Sequence, residues 1–261
     1  MAKYVPDELE TKLEQDARKK FNFEIQPVWE EGKAYEETKT ESLIHATFGN
    51  ASAFFEILTE GEVDHVVDYV KVKQPDEEEE KKETKSKEDV LVKVYKSTKA
   101  DSFFIIPEDD ISDKYAKVIS RIILSWLKPA RIFLFDSMYK TAYASFDYIG
   151  DANILKFAKT STVTDDLSKH GAEPIEVTNG ISGLNGSLLT HSEIHRIPCL
   201  YLVSIIDSYE YTLETFGSYK GALSLVPAVK SHISKISDLA KRSSYKPTLK
   251  KYNQKKHNIY N

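Results

Sequence analysis

One cysteine, Cys199, occurs in 261 residues, so an internal disulfide is excluded and the thiol content suits a reducing compartment. No apolar run comes near the roughly 18 residues that a membrane helix requires. The opening residues, charged from Asp7 onward, lack the apolar stretch of a secretory leader. These absences lead us to expect a protein of the cytoplasm or nucleus. Acidic residues are missing too, but only from one end. None follows Asp238, while Lys241, Arg242, Lys246, Lys250, Lys251, Lys255 and Lys256 carry seven positive charges toward the terminus. The net charge of −5 therefore becomes −12 once those seven cations are set aside. An acidic body lacks the basic face that phosphate binding needs, which argues against nucleic acid as the main partner.

Apolar residues make up 41% of the chain and charged residues 30%, enough for a sizeable core together with solvated segments. Residues 1–37 are polar and contain Pro6, Pro27 and a Glu30-Glu31-Gly32 turn signal. We expect an N-terminal arm there, wrapped over the surface, with a short helix compatible with Asp7–Phe21. Residues 38–242 form the expected single α/β domain. Strand character recurs over 39–48, 53–59, 63–73 and 90–96, where β-branched and aromatic residues concentrate. Residues 74–89 interrupt it with Asp76, the Glu77–Glu80 run, Glu83, Glu88 and Asp89. With Pro75 as its one apolar side chain, this acidic insert cannot offset its ordering entropy and is expected to be disordered.

Phe103–Ile106 is an apolar run closed by Pro107, with Asp109, Asp110 and Ser112 as helix-capping candidates behind it. Tyr115, Val118, Ile119, Ile122, Ile123 and Trp126 then repeat at helical spacing as far as Pro129, and Ile132–Phe135 reads as a buried strand. Strand, helix and strand in so short a span predict a right-handed crossover between parallel strands. Ile154–Ala158 and Pro174–Val177 are short strand candidates, and 160–171 reads as loop. A helix is expected from Thr178-Asn179-Gly180 through Ile194, and residues 197–206 are apolar enough for a central strand. Ala222–Leu239 has the pattern of an amphipathic helix. The expected fold class is thus α/β: a mixed, mainly parallel sheet flanked by helices, with a flexible basic tail over 243–261 beyond the helix-breaking Pro247.

Candidate chemistry is thin. Gly180, Gly183 and Gly186 match neither the dinucleotide nor the P-loop spacing, and close packing of a helix on a strand explains them better. Ser182 sits in an imperfect nucleophile elbow, its second glycine one place early. His191 and His195 have a metal-ligand spacing, but Glu193 falls on another face and does not follow the first histidine directly. Cys199 lies in the most apolar run and reads as a small core residue. Asp136 and Asp207 stand at strand ends, where α/β enzymes place carboxylates, without a His or Lys neighbour in sequence. We expect no catalytic set, no metal site and no cofactor. The last residues, Ile259-Tyr260-Asn261, read either as a frayed end or as a peptide whose apolar side chain, ring and carboxylate are captured by a partner.

Several of these segments together are similar to a known family. Val177-Thr178-Asn179-Gly180 through Gly183, Gly186 and Leu188-Leu189 to the strand Cys199–Val203 resembles the helix–strand unit of the proteasome assembly chaperones. So do Ile119–Ile123, the segment Arg131–Ser137, and the ending Ile259-Tyr260-Asn261, which matches that family's hydrophobic–Tyr–any-residue terminus. The polar arm and acidic insert make the first subunit of the heterodimeric chaperone the better likeness. The resemblance implies a non-enzymatic chaperone for 20S proteasome assembly. It would pair with a second chaperone subunit and bind the outer face of the α-subunit ring. Ile259, Tyr260 and Asn261 would dock in a pocket between α subunits, with Lys255 and Lys256 steering them. The rivals are a nucleoside- or ester-cleaving α/β enzyme using Asp136 or Asp207, and a nucleic-acid binder using residues 241–256.

Overall fold

The computed structural model describes residues 23–29, 38–47, 50–59, 62–73, 89–107, 111, 113–145, 154–206 and 222–226. Among these, nine strands form one sheet in the order β1-β3-β4-β5-β2-β6-β9-β7-β8. The strands are β1 (Phe23–Trp29), β2 (Thr38–Ala46), β3 (Val63–Lys73), β4 (Asp89–Ser97), β5 (Ser102–Pro107), β6 (Leu127–Tyr139), β7 (Ile154–Lys159), β8 (Ala172–Pro174) and β9 (Cys199–Ile206). Three α-helices accompany them among the described residues: α1 (Asn50–Leu58), α2 (Asp113–Trp126) and α3 (Gly183–His195).

The centre of the sheet is parallel. β2 pairs in parallel with β5 on one side and β6 on the other, and β6 pairs in parallel with β9. Parallel strands need cover on both faces, and the sequences comply: every residue of β5 and of β9 is buried. The margins are antiparallel, β1-β3-β4-β5 on one flank and β9-β7 on the other, with β8 returning parallel to β7. The mixed sheet flanked by helices is therefore as the sequence predicts. The crossover expected between β5 and β6 is present, and β2 lies between the two strands it joins.

Each face carries its own core. On one, α1 contributes Ala51, Phe54, Phe55 and Leu58 against Ile44, Phe104, Phe133, Phe135, Leu200 and Leu202. On the other, α2 and α3 contribute Ala116, Ile119, Ile123, Leu184 and Leu188 against Leu43, Ile105, Leu134, Tyr201 and Val203. Alternate residues of one strand thus feed the two layers. No helix among the described residues is long and apolar enough to cross a membrane.

Four local readings change. Residues 53–59 are helical as part of α1 and its exit turn, not a strand. Residues 23–29, inside the expected arm, are β1, paired with β3 from Phe23↔Lys73 to Trp29↔Val67. α2 stops at Trp126, and the chain enters β6 at once, so Pro129 is a strand residue. It is tolerated because β9 joins β6 only from Ile132 onward, which leaves the segment around Pro129 paired with β2 alone. The strand expected over 174–177 is shorter and earlier, Ala172–Pro174. β3 and β4, which flank the acidic insert, pair as an antiparallel hairpin. Residues 74–88, the capping candidates Asp109, Asp110 and Ser112, and the helix expected beyond residue 226 lie outside the described residues.

Candidate functional site

The carboxyl edge of the parallel strands is where open α/β sheets place their ligands, and here it gathers polar side chains from distant parts of the chain. β2 supplies His45 and leads to Thr47, β6 supplies Asp136, β9 supplies Tyr201, and the first turn of α3 supplies Asn185. His45, Asn185 and Tyr201 are 1%, 0% and 1% exposed. The Asp136 carboxylate is the hub. Its Oδ1 accepts from Thr47 Oγ1 at 2.6 Å and from the Ser137 N–H at 2.8 Å. Its Oδ2 accepts from Tyr201 Oη at 2.8 Å and, at the longer distance of 3.4 Å, from Asn185 Nδ2. The other end of the Asn185 amide, Oδ1, lies 2.7 Å from His45 Nδ1.

Two opposing influences act on Asp136. Burial pushes its pKa up, and the bonds from Thr47, Tyr201, Ser137 and Asn185 pull it back. His45 is pulled down from its ordinary 6.5 to about 4, chiefly by burial, with the Asn185 bond acting in the opposite direction. The imidazole is therefore neutral at pH 7, and its Nε2 is buried with no hydrogen-bond partner.

The start of α3 is built to bring Asn185 there. Ser182 precedes the helix in extended conformation, and Gly183 takes a positive φ of 62° that favours glycine. The Gly183 N–H donates to Asp113 Oδ1 at 2.7 Å, tying the starts of α2 and α3 together. A Cβ on Gly186 would run into the Ile181 carbonyl, whereas one on Gly180 would meet open space. The three glycines thus have three different surroundings rather than one shared packing role against a strand. Ser182 is an exposed N-cap with no side-chain capping bond, and the helix begins at Gly183, later than the sequence suggests.

The other sequence candidates are dispersed. His191 and His195 stack with ring centroids 4.1 Å apart, while Glu193 turns away and accepts from Ser161 N–H at 2.8 Å and Oγ at 2.7 Å. Among the described residues no group of three or more His, Cys, Asp or Glu side chains is placed to hold a metal. Cys199 is buried and its thiol is pushed up to about 12 by burial, so it is a core residue and not a nucleophile. Asp207, Lys255, Lys256, Ile259, Tyr260 and Asn261 lie outside the described residues.

Two cavities lined by described residues lie elsewhere. One of about 590 Å³ is an open groove at the far end of α3, lined by Lys159, Thr160, Ser161, Leu189, Thr190, Glu193 and Ile194. Its Ile194 is 70% exposed. The other, about 60 Å³, lies among Arg131, Thr162, Asp165, Pro198 and Leu225. Neither is lined by a member of the Asp136 cluster.

The sequence hinted at Asp136 alone, from its place at a strand end. His45 and Asn185 are 140 positions apart, and Tyr201 lies 65 from Asp136, so no local motif connects them. No family model and no curated protein matches the chain. Solved structures do match it in fold. A protein of unknown function from Thermoplasma acidophilum superposes with a TM-score of 0.59 at 12% identity, over 99% of this chain and 98% of that one. PbaA of Pyrococcus furiosus, described as an archaeal homolog of proteasome-assembly chaperone, gives 0.54 at 10% identity over 91% and 99%. PbaB of the same organism, described as an archaeal proteasome activator, gives 0.52 at 13% over 84% and 95%. At such identities the likeness is one of fold, and the fold is that of structures described as proteasome-related.

Proposed function

We propose that this chain is a non-enzymatic chaperone for 20S proteasome assembly, acting in the cytoplasm or nucleus. The observation that carries the proposal is the correspondence with PbaA, which spans 91% of this chain and 99% of that one. A shared architecture of that extent supports a shared mode of use. Burial of the polar cluster described at the strand ends supports the non-enzymatic reading. Thr47, Ser137, Asn185 and Tyr201 donate to Asp136, and His45 is bonded to Asn185. His45, Asn185 and Tyr201 are closed to solvent, so a substrate would have to displace α3 to reach them.

In this reading the chain works as a heterodimer with a second chaperone subunit on the outer face of the α-subunit ring. Its C-terminal Ile259-Tyr260-Asn261 docks in an inter-subunit pocket. Ile259 supplies apolar burial and Tyr260 a ring with one polar end. The Asn261 carboxylate pairs with a cation or backbone amides, while Lys255 and Lys256 draw the tail toward acidic surface. Three residues bind weakly by themselves, because any peptide segment loses entropy on docking. The folded body and the partner's tail raise the effective concentration.

Deleting Ile259–Asn261, or the change Tyr260→Ala, is expected to reduce co-purification with core-particle precursors by tenfold or more, on the order of 1.4 kcal/mol or above, without altering the circular dichroism of the body. Undiminished co-purification after the deletion would sink the tail mechanism.

A further inference from the structure

The hydrogen-bond roles in the Asp136 cluster are determined by a chain of constraints. Asp136 accepts from Thr47, Ser137 and Tyr201, and the group Asn185 turns toward its Oδ2 is the NH2. That leaves the amide oxygen facing His45 Nδ1 at 2.7 Å, and an amide oxygen only accepts. His45 then carries its proton on Nδ1, which leaves Nε2 as the unprotonated nitrogen, buried without a hydrogen-bond partner. A second proton would place an N–H and a full charge on that atom, with no acceptor beside it. Turning Asn185 over would not help, because Nε2 would still have no acceptor.

Of the residues in this cluster, Asn185 alone belongs to a helix; His45, Asp136 and Tyr201 are in strands and Thr47 follows β2 directly. The described titratable groups on this face of the sheet include Asp136 on β6, Tyr201 and Cys199 on β9, Tyr115 on α2, Tyr143, and Lys156 on β7 with its partners Glu173 and Glu176. Lys156 is held by those two carboxylates, whereas Asp136 is the carboxylate tied to the cluster, with the Asn185 amide between it and the imidazole. The geometry points to a proton-operated latch: α3 stays closed over His45, with Asn185 on Nδ1, while the ring is singly protonated, and lifts when Nε2 takes a proton from solvent. The charge on that partnerless atom outweighs the strengthened bond to Asn185. Release parts the buried Leu184 and Leu188 from the sheet and moves the Ile194 end of the same helix, so the groove surface there is coupled to the latch.

Two measurements on the full chain test this. Nitrogen-15 NMR of histidine-labelled protein at pH 7.5 should show His45 as the Nδ1–H tautomer. Hydrogen exchange, corrected for the intrinsic effect of pH, should show the opening of residues 184–192 rising roughly tenfold per pH unit between 6.5 and about 4, ahead of β6 and β9. His45→Gln, which keeps a neutral donor for Asn185, should abolish that dependence. If the variant does not fold, the wild-type data decide by themselves. An Nε2–H tautomer, or α3 losing protection only in step with β9, overturns the latch, as does an unchanged pH response in His45→Gln.

Discussion

Gly186 separates what a sequence motif suggests from what a position requires. An exposed helical glycine replaced by alanine gains roughly 1 kcal/mol of helix propensity. At residue 186 the new methyl would instead collide with the Ile181 carbonyl, which is backbone and cannot rotate aside. Gly186→Ala is therefore expected to lower stability by about 1–3 kcal/mol, read as a shift in the urea midpoint, whereas Gly180→Ala should cost almost nothing. Equal effects at the two positions would refute the assignment. The same scale shows why the polar cluster was only partly legible. Asp136 could be picked out because a carboxylate after an apolar run marks a strand end. Asn185 could not, since within Leu184-Asn185-Gly186-Ser187 it reads as an ordinary polar helix residue. Its 0% exposure comes from packing with partners 49 and 140 positions away.

Helices and strands were readable where pattern and packing agree. α2 and β9 follow directly from helical spacing and from an unbroken apolar run. α1 failed because Asn-Ala-Ser-Ala-Phe-Phe-Glu-Ile-Leu is too short and too apolar for periodicity to distinguish helix from strand. Its adjacent Phe54 and Phe55 are both 0% exposed, and Phe55 packs 4.6 Å from the Phe135 ring, a tertiary contact that no local window contains. The tie between α2 and α3 was invisible for the same reason: Asp113, in the first turn of one helix, accepts the Gly183 N–H of the other. It serves as a cap supplied in trans, and the partial positive charge of a helix start favours the carboxylate. Asp113→Ala should destabilise the protein by about 0.5–1 kcal/mol, with Asp113→Asn losing less because it retains an acceptor. Equilibrium unfolding of the two variants checks the order; an Asn variant as weak as the Ala variant would remove the bond from the account.

For the whole molecule, the buried pair His45 and Asp136 sets opposing responses to acid. His45 has a folded pKa of about 4 against 6.5 for the free side chain, so the unfolded chain binds the extra proton first. Stability from this residue is complete above 6.5 and declines as pH falls toward 4. At about 1.4 kcal/mol per unit, the full decline is on the order of 3 kcal/mol, a substantial part of the 5–15 kcal/mol typical of a domain. Asp136 has the opposite sign. Its folded pKa is raised, so its neutral form favours the fold, and its contribution is greatest below 3.8 and falls as pH rises through the folded value. Wild-type stability alone reports their sum. Comparison with His45→Gln isolates the first term, because Asp136 titrates in both proteins. Urea unfolding at pH 7 and pH 4.5 should show the wild type losing about 2–3 kcal/mol more than the variant over that interval. Parallel losses would mean that His45 titrates alike in the folded and unfolded chains. In that case the burial of its ring between β2 and α3 would not control the acid response of the fold.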